Sequence, residues 1–213
     1  RHIFNSDVYF KPGISWALRT DFFSPHVVPE GCIPSVSRYL CISEKMDTLE
    51  CLGLFNSIFY DYLIKLRMEK WSQPKFIVGA VKDLPITGCN SANDEVLPTL
   101  VNEGFKILQK VDSYFSETSN IFVGMFIINQ EQSIHAMSNS MKTILLQSKS
   151  IIINIGNKID DHVSKCLSVP LKELNAPEGI ISWDLKWQRL IGLNLADEKN
   201  ISNDHIHNCY CIS

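Results

Sequence analysis

Apolar and polar positions change rhythm near residue 90. Before it, short runs are cut by Pro12-Gly13, Pro25, Pro29, Gly31, Pro34, Pro74 and Pro85. Ile14-Ser15-Trp16-Ala17-Leu18-Arg19 alternates sides as a half-buried strand does, and His26-Val27-Val28 and the run from Val36 to Ile42 read the same way. Phe76-Ile77-Val78-Gly79-Ala80-Val81 predicts a fourth strand. One helix is predicted among them, over 47–70. Asp47 supplies an N-cap, Glu50 follows three residues later as in a capping box, and Leu52, Phe55, Phe59, Tyr62 and Leu66 recur at steps of three and four. Asn56 and Ser57 fall inside that helix, and their short side chains are expected to bond adjacent backbone where the helix meets the sheet.

Beyond residue 90 the period becomes helical. Leu97, Val101, Phe105, Leu108, Val111 and Phe115 form one stripe, with Asp94 as its cap and Pro98 in the first turn, where proline is tolerated. A longer stripe runs through Ile134, Met137, Met141, Ile144, Ser148, Ile151, Ile155, Ile159, Val163 and Cys166. It predicts a helix of up to about 35 residues, or about 50 Å, with a kink or break possible at Gly156. A helix of that length calls for a partner, most simply the 94–117 helix lying antiparallel to it. After Pro170 the signal decays: 179–183 reads as a strand or short helix, and 197–213 as a frayed end. The expected fold is α+β, with a small mixed strand/helix domain over 1–90. A mostly helical hairpin, serving as a spacer or packing region, follows over 91–213.

The chain has 213 residues, 45% hydrophobic, 20% charged and 10% aromatic. This is ordinary globular composition, ample for a buried core. Twenty Lys+Arg against 23 Asp+Glu leave a net charge of -3, which excludes a strongly basic coat and a disordered polyelectrolyte. Residues 1–90 carry ten basic and nine acidic groups, whereas 91–213 carry ten and fourteen. If the chain meets phosphate, the first part is the better candidate. No apolar run approaches the roughly 18 residues of a membrane span. The chain begins at Arg1, and Asn5, Asp7 and Lys11 interrupt any signal-peptide core. It reads as part of a longer protein, or as a product that has lost its start. Seven cysteines, with Cys41, Cys51 and Cys166 in apolar or helical surroundings, point to reduced thiols in a cytoplasmic protein.

Most enzymatic signatures are missing. The chain has no G-x-G-x-x-G, no G-x-x-x-x-G-K and no G-x-S-x-G. Its nine prolines include no Pro-Pro pair, so the Asn/Asp-Pro-Pro-aromatic loop with which amino-methyltransferases hold their target amine is absent. His205, His207, Cys209 and Cys211 alternate and would share one face of a strand. A single strand wraps poorly around a tetrahedral ion, and the tail is read as accidental composition at a loose terminus. His26 and Cys32 read as surface or structural groups, and Trp183 and Trp187 as a core or partner face. A hydrolase built on Cys or His has no arranged constellation behind it. The chain is assigned no catalytic residue, metal or cofactor of its own.

One stretch is more specific. Tyr9-Phe10-Lys11-Pro12-Gly13-Ile14-Ser15-Trp16-Ala17-Leu18-Arg19-Thr20 is followed by Pro29-Glu30-Gly31-Cys32-Ile33. Then come a helix beginning Leu52-Gly53-Leu54-Phe55-Asn56-Ser57-Ile58-Phe59 and a closing run from Pro74 through Val78-Gly79-Ala80-Val81 to Leu84-Pro85-Ile86. In this order the four resemble the target recognition region of adenine-specific DNA methyltransferases in bacterial defence. The resemblance is to the PglX-like enzymes of BREX phage defence, and also to the single-chain (type IIG/IIL) restriction–modification methylases. It covers a little over a third of the chain, and Thr87 stands where that family has a second proline. It implies sequence-specific recognition of double-stranded DNA, with S-adenosylmethionine bound by a methyltransferase domain that this chain does not contain. DNA contacts are expected from long or planar groups near the strands: Lys11, Arg19, Arg38, Tyr39, Lys75 and Lys82. Arginine can read guanine bidentately, while lysine mostly meets phosphate. The competing expectation is a helical interaction or dimerisation module in a defence complex, using the 134–166 stripe.

Overall fold

The computed structural model describes residues 6–20, 22–35, 38–43, 46–68, 75–86, 95–115, 133–170, 182–184 and 186. They form a mixed α+β structure. Three short strands, β1 (Gly13–Ala17), β2 (His26–Val28) and β3 (Arg38–Cys41), make an antiparallel sheet in the order β2-β1-β3. Register pairs Ile14 with Val27 and Cys41, and Trp16 with Tyr39, so these side chains share one face. Ile14 and Trp16 on that face are buried. The sheet closes tightly at Gly13: a Cβ there would sit 2.5 Å from the Cys41 carbonyl oxygen.

An aromatic cluster fills the core beneath the sheet. Phe23, fully buried, lies 5.8 Å from the Trp16 ring, 5.9 Å from Phe55 and 5.4 Å from Phe76, centre to centre. The Trp16 indole N–H donates to the Phe76 carbonyl at 2.9 Å, and the Phe76 N–H donates to the Leu18 carbonyl at 2.8 Å. The buried indole is thus satisfied, and the chain at residue 76 is tied to the end of β1.

The helix expected over 47–70 is two helices, α1 (Thr48–Asn56) and α2 (Ile58–Leu66). Asp47 caps α1 as the sequence suggests, accepting from the N–H groups of Leu49 and Glu50. The break falls at Ser57, which is buried and extended (φ -64°, ψ 153°). Its hydroxyl donates to the Leu54 carbonyl and accepts from the Tyr60 N–H. Asn56 donates to the Leu52 carbonyl at 3.1 Å and to the Pro25 carbonyl at 3.2 Å, joining α1 to the chain entering β2. Both polar residues bond backbone, Asn56 reaching the chain that enters β2 and Ser57 bridging the two helices, and together they divide the helix. The division also resets the buried face. Cys51, Leu54, Phe55, Tyr60, Asp61 and Ile64 point inward, and Leu66, placed on the stripe by the sequence, is 57% exposed.

The predicted fourth strand is not one. Pairing stops at a single bridge between Arg19 and Lys75, and a short helix, α3 (Val78–Lys82), follows. Phe76 is buried, Ile77 and Val78 are exposed, and Ala80 and Val81 are buried, a turn of helix rather than an alternation. A six-residue apolar run does not distinguish these outcomes by period.

The long helices are α4 (Val96–Phe115) and α5 (Ile134–Leu167). Pro98 sits in the first turn of α4, and α5 continues through Gly156 as one helix. Asp94, the expected cap of α4, lies outside the described residues, as do 197–213. The structure divides into two compact units, one drawn from Arg1–Asn102 and Gly156–Ile181, the other from Glu103–Ile155 and Ser182–Ser213. In the first, Gly53 of α1 admits the start of α4, since a Cβ there would lie 3.1 Å from Val101 and 3.3 Å from Leu97. In the second, Val111 packs with Leu145 and Ile152, and Tyr114 with Met137 and Met141. Higher numbers on α4 thus meet lower ones on α5, the antiparallel hairpin expected. Lys149 of α5 pairs with Asp184 at 2.8 Å.

Candidate nucleic-acid interface

All six residues expected to meet DNA lie in the first compact unit. Lys11, two residues before β1, is exposed, and so is Lys82, the last residue of α3. Arg19 and Lys75 are both exposed and face each other across the antiparallel bridge. Two cations directly opposite repel. Arg38 opens β3, exposed and opposite Ala17. Tyr39 differs: it is half-buried opposite Trp16, with ring centres 5.9 Å apart, on the face that carries the core.

Register gathers Arg38 with a residue that the sequence does not single out for DNA. Ser15 pairs with His26 and Leu40, and Ala17 with Arg38. Residues 15 and 17 point to the same side of β1, away from Ile14 and Trp16. His26 and Arg38 therefore flank the central strand on the face away from Ile14 and Trp16, one on each edge strand; both are exposed, while Ser15 between them is buried. The signal for this is present only as a pairing: residues 15 and 26 meet once the β1–β2 hairpin fixes its register. Partial burial of the ring is the main cause that holds His26 below the ordinary histidine value. A hydrogen bond with the Ser24 carbonyl acts the other way, and the Arg38 charge lowers it further.

Electrostatic pairing separates these cations from others in the same unit. Lys65 meets the fully buried Asp61 at 2.7 Å, and Arg67 meets Asp83 at 2.7 Å. Asp61 also accepts from the Phe23 N–H at 3.2 Å, so that pair braces the core. Among the described residues Lys11, Arg19, Arg38, Lys75 and Lys82 enter no ion pair.

Other chemistry is thin. Burial pushes the Cys51 thiol up to about 12, with Cys41 and Glu50 adding to the effect, and raises Cys41 as well. A raised value leaves less thiolate near pH 7 and makes each a weaker nucleophile than a free cysteine. Cys166 Sγ lies 3.3 Å from His162 Nε2, one turn apart on α5. Among the described residues no group of three His, Cys, Asp or Glu could hold a metal ion. His205, His207, Cys209 and Cys211 lie outside them, as does Trp187. The α5 stripe that suggested a dimer surface meets α4 over Met137–Ile152. Among the described residues no helix is long and apolar enough to cross a membrane. No family model, curated protein or solved structure matches the chain.

Proposed function

We propose that residues 1–90 recognise double-stranded DNA. They would serve as the target recognition part of a cytoplasmic, adenine-specific methyltransferase of phage defence or restriction–modification, whose catalytic domain binds S-adenosylmethionine elsewhere. The observation that carries this reading is the Arg19–Lys75 pair. Two exposed cations opposite each other destabilise the free protein, and a polyanion converts that repulsion into binding. Arg38 at the start of β3, Lys11 before β1 and Lys82 at the end of α3 are further exposed cations of the same unit. Arg19 and Arg38 are the candidates for base edges, and the lysines for phosphate. Tyr39 supports Trp16 and has a smaller share. With a net charge of -3 over the chain, binding is local, modest and steeply salt-dependent.

Fluorescence anisotropy with labelled duplex, titrated over a range of salt, tests the proposal. Arg19→Ala with Lys75→Ala should weaken binding and reduce the salt slope by about 0.9 for each phosphate no longer neutralised. Selection from a random duplex pool should enrich a motif, and Arg38→Ala should relax one position of it. An unchanged salt slope in the double variant refutes the assigned roles. Failure to bind duplex at low salt refutes the reading itself.

A further inference from the structure

We propose that His26 joins Arg38 in holding a DNA backbone phosphate across the exposed edge residues of the sheet face opposite Ile14 and Trp16, and that it takes up a proton as it does so. This rests on the duplex-binding reading above. The geometry is that of the register: His26 opposite Ser15 on one edge strand and Arg38 opposite Ala17 on the other share a face, and these two edge side chains are exposed on either side of a buried Ser15. The groups that act on the imidazole are the Ser24 carbonyl, 3.4 Å from Nδ1, and the Arg38 guanidinium; among the described residues no carboxylate contributes. With Nδ1–H donating to the Ser24 carbonyl, Nε2 of the neutral ring has a lone pair and no hydrogen. It can donate to a phosphate oxygen only as imidazolium.

Free and bound states therefore favour different protonation. In the free protein partial burial and Arg38 keep the ring neutral near pH 7. A phosphate placed between the two side chains offsets the guanidinium charge and offers an acceptor to Nε2–H, and both effects favour the charged ring. Binding then carries a proton with it, and affinity rises as pH falls. No covalent change is involved.

The test compares duplex affinity near pH 8 and near pH 5.8 for the whole chain, its His26→Gln variant and its Arg38→Ala variant. The wild type should bind roughly three- to tenfold tighter at the lower pH, as a gained charge-assisted hydrogen bond implies. Glutamine at 26 should remove most of that pH ratio, and Arg38→Ala should weaken binding at both pH values. Calorimetry of the wild type in two buffers of different ionisation enthalpy, near pH 6.5, should register proton uptake on binding, reduced in His26→Gln. A flat wild-type profile, or a His26→Gln variant that keeps the full ratio, overturns the inference while leaving duplex binding intact. Absence of duplex binding at both pH values overturns the reading beneath it, and this inference with it.

Discussion

The break between α1 and α2 is held by a residue more than a hundred positions away, and that makes it measurable. Asp160, on α5 and 8% exposed, accepts from the Ile58 N–H through Oδ1 at 2.8 Å. Ile58 is the first residue of α2, whose leading N–H groups have no partner within the helix. Ser57 Oγ serves the Tyr60 N–H, and Asp160 serves the other end of the same turn. Replacing Asp160 by Ala removes a cap, about 0.5–2 kcal/mol, and strands a poorly hydrated donor, about 1–3 kcal/mol. The two figures describe largely the same lost bond, so the expected loss is about 1–3 kcal/mol. Asp160→Asn retains an acceptor and forfeits mainly the charge at the helix N-terminus, about 0.3–2 kcal/mol. Urea unfolding followed by circular dichroism should therefore rank wild type above Asn and Asn above Ala. An Ala variant within about 0.5 kcal/mol of wild type, outside the range for a lost cap, would refute the cap. Equal losses in Asn and Ala would show that the acceptor oxygen is not what matters.

Other outcomes follow from the same structure. Gly13→Ala forces a Cβ against the Cys41 carbonyl and should lower stability by about 1–3 kcal/mol, read from the urea midpoint; an unchanged midpoint refutes the close approach. With its thiol pushed up to about 12, Cys51 should be alkylated at pH 8 far more slowly than half-buried Cys32 and catch up on denaturation, as peptide mapping would report. His26 is held below the ordinary histidine value of 6.5, so the native state binds its proton less tightly than the unfolded chain does. Above both values it has no effect. As pH falls through about 6.5 the unfolded state gains a proton first, and stability drops. The wild type should therefore lose stability relative to His26→Gln on acidification, and parallel pH–stability curves would show otherwise.

What can be read from sequence follows from the range over which each signal acts. β1, β2 and β3 are legible because alternation and bracketing prolines are local, and α4 and α5 because their stripes continue for many turns. The division at Ser57 is not, because apolar residues at steps of three and four run through it on both sides. What ends α1 is Ser57 and Asn56 bonding backbone, and α2 is started by Ser57 together with Asp160, which tertiary folding brings there. Phe76–Val81 reads as a strand for a related reason: its pairing has room for one bridge before Phe76 turns into the core, and nothing local says so. The same logic governs the candidate interface. Lys11, Arg19, Arg38, Lys75 and Lys82 can be found as long cations near strands, and each is exposed. Tyr39 cannot be sorted from them, since its side of β3 depends on pairing with Trp16. His26 does not stand out, because a lone histidine after Pro25 has no local meaning. Its meaning is relational: two steps of register, 26 to 15 and 17 to 38, put imidazole and guanidinium on one face. A function that depends on such a pair is written in strand register, and a pattern read along the chain finds its members before it finds their company.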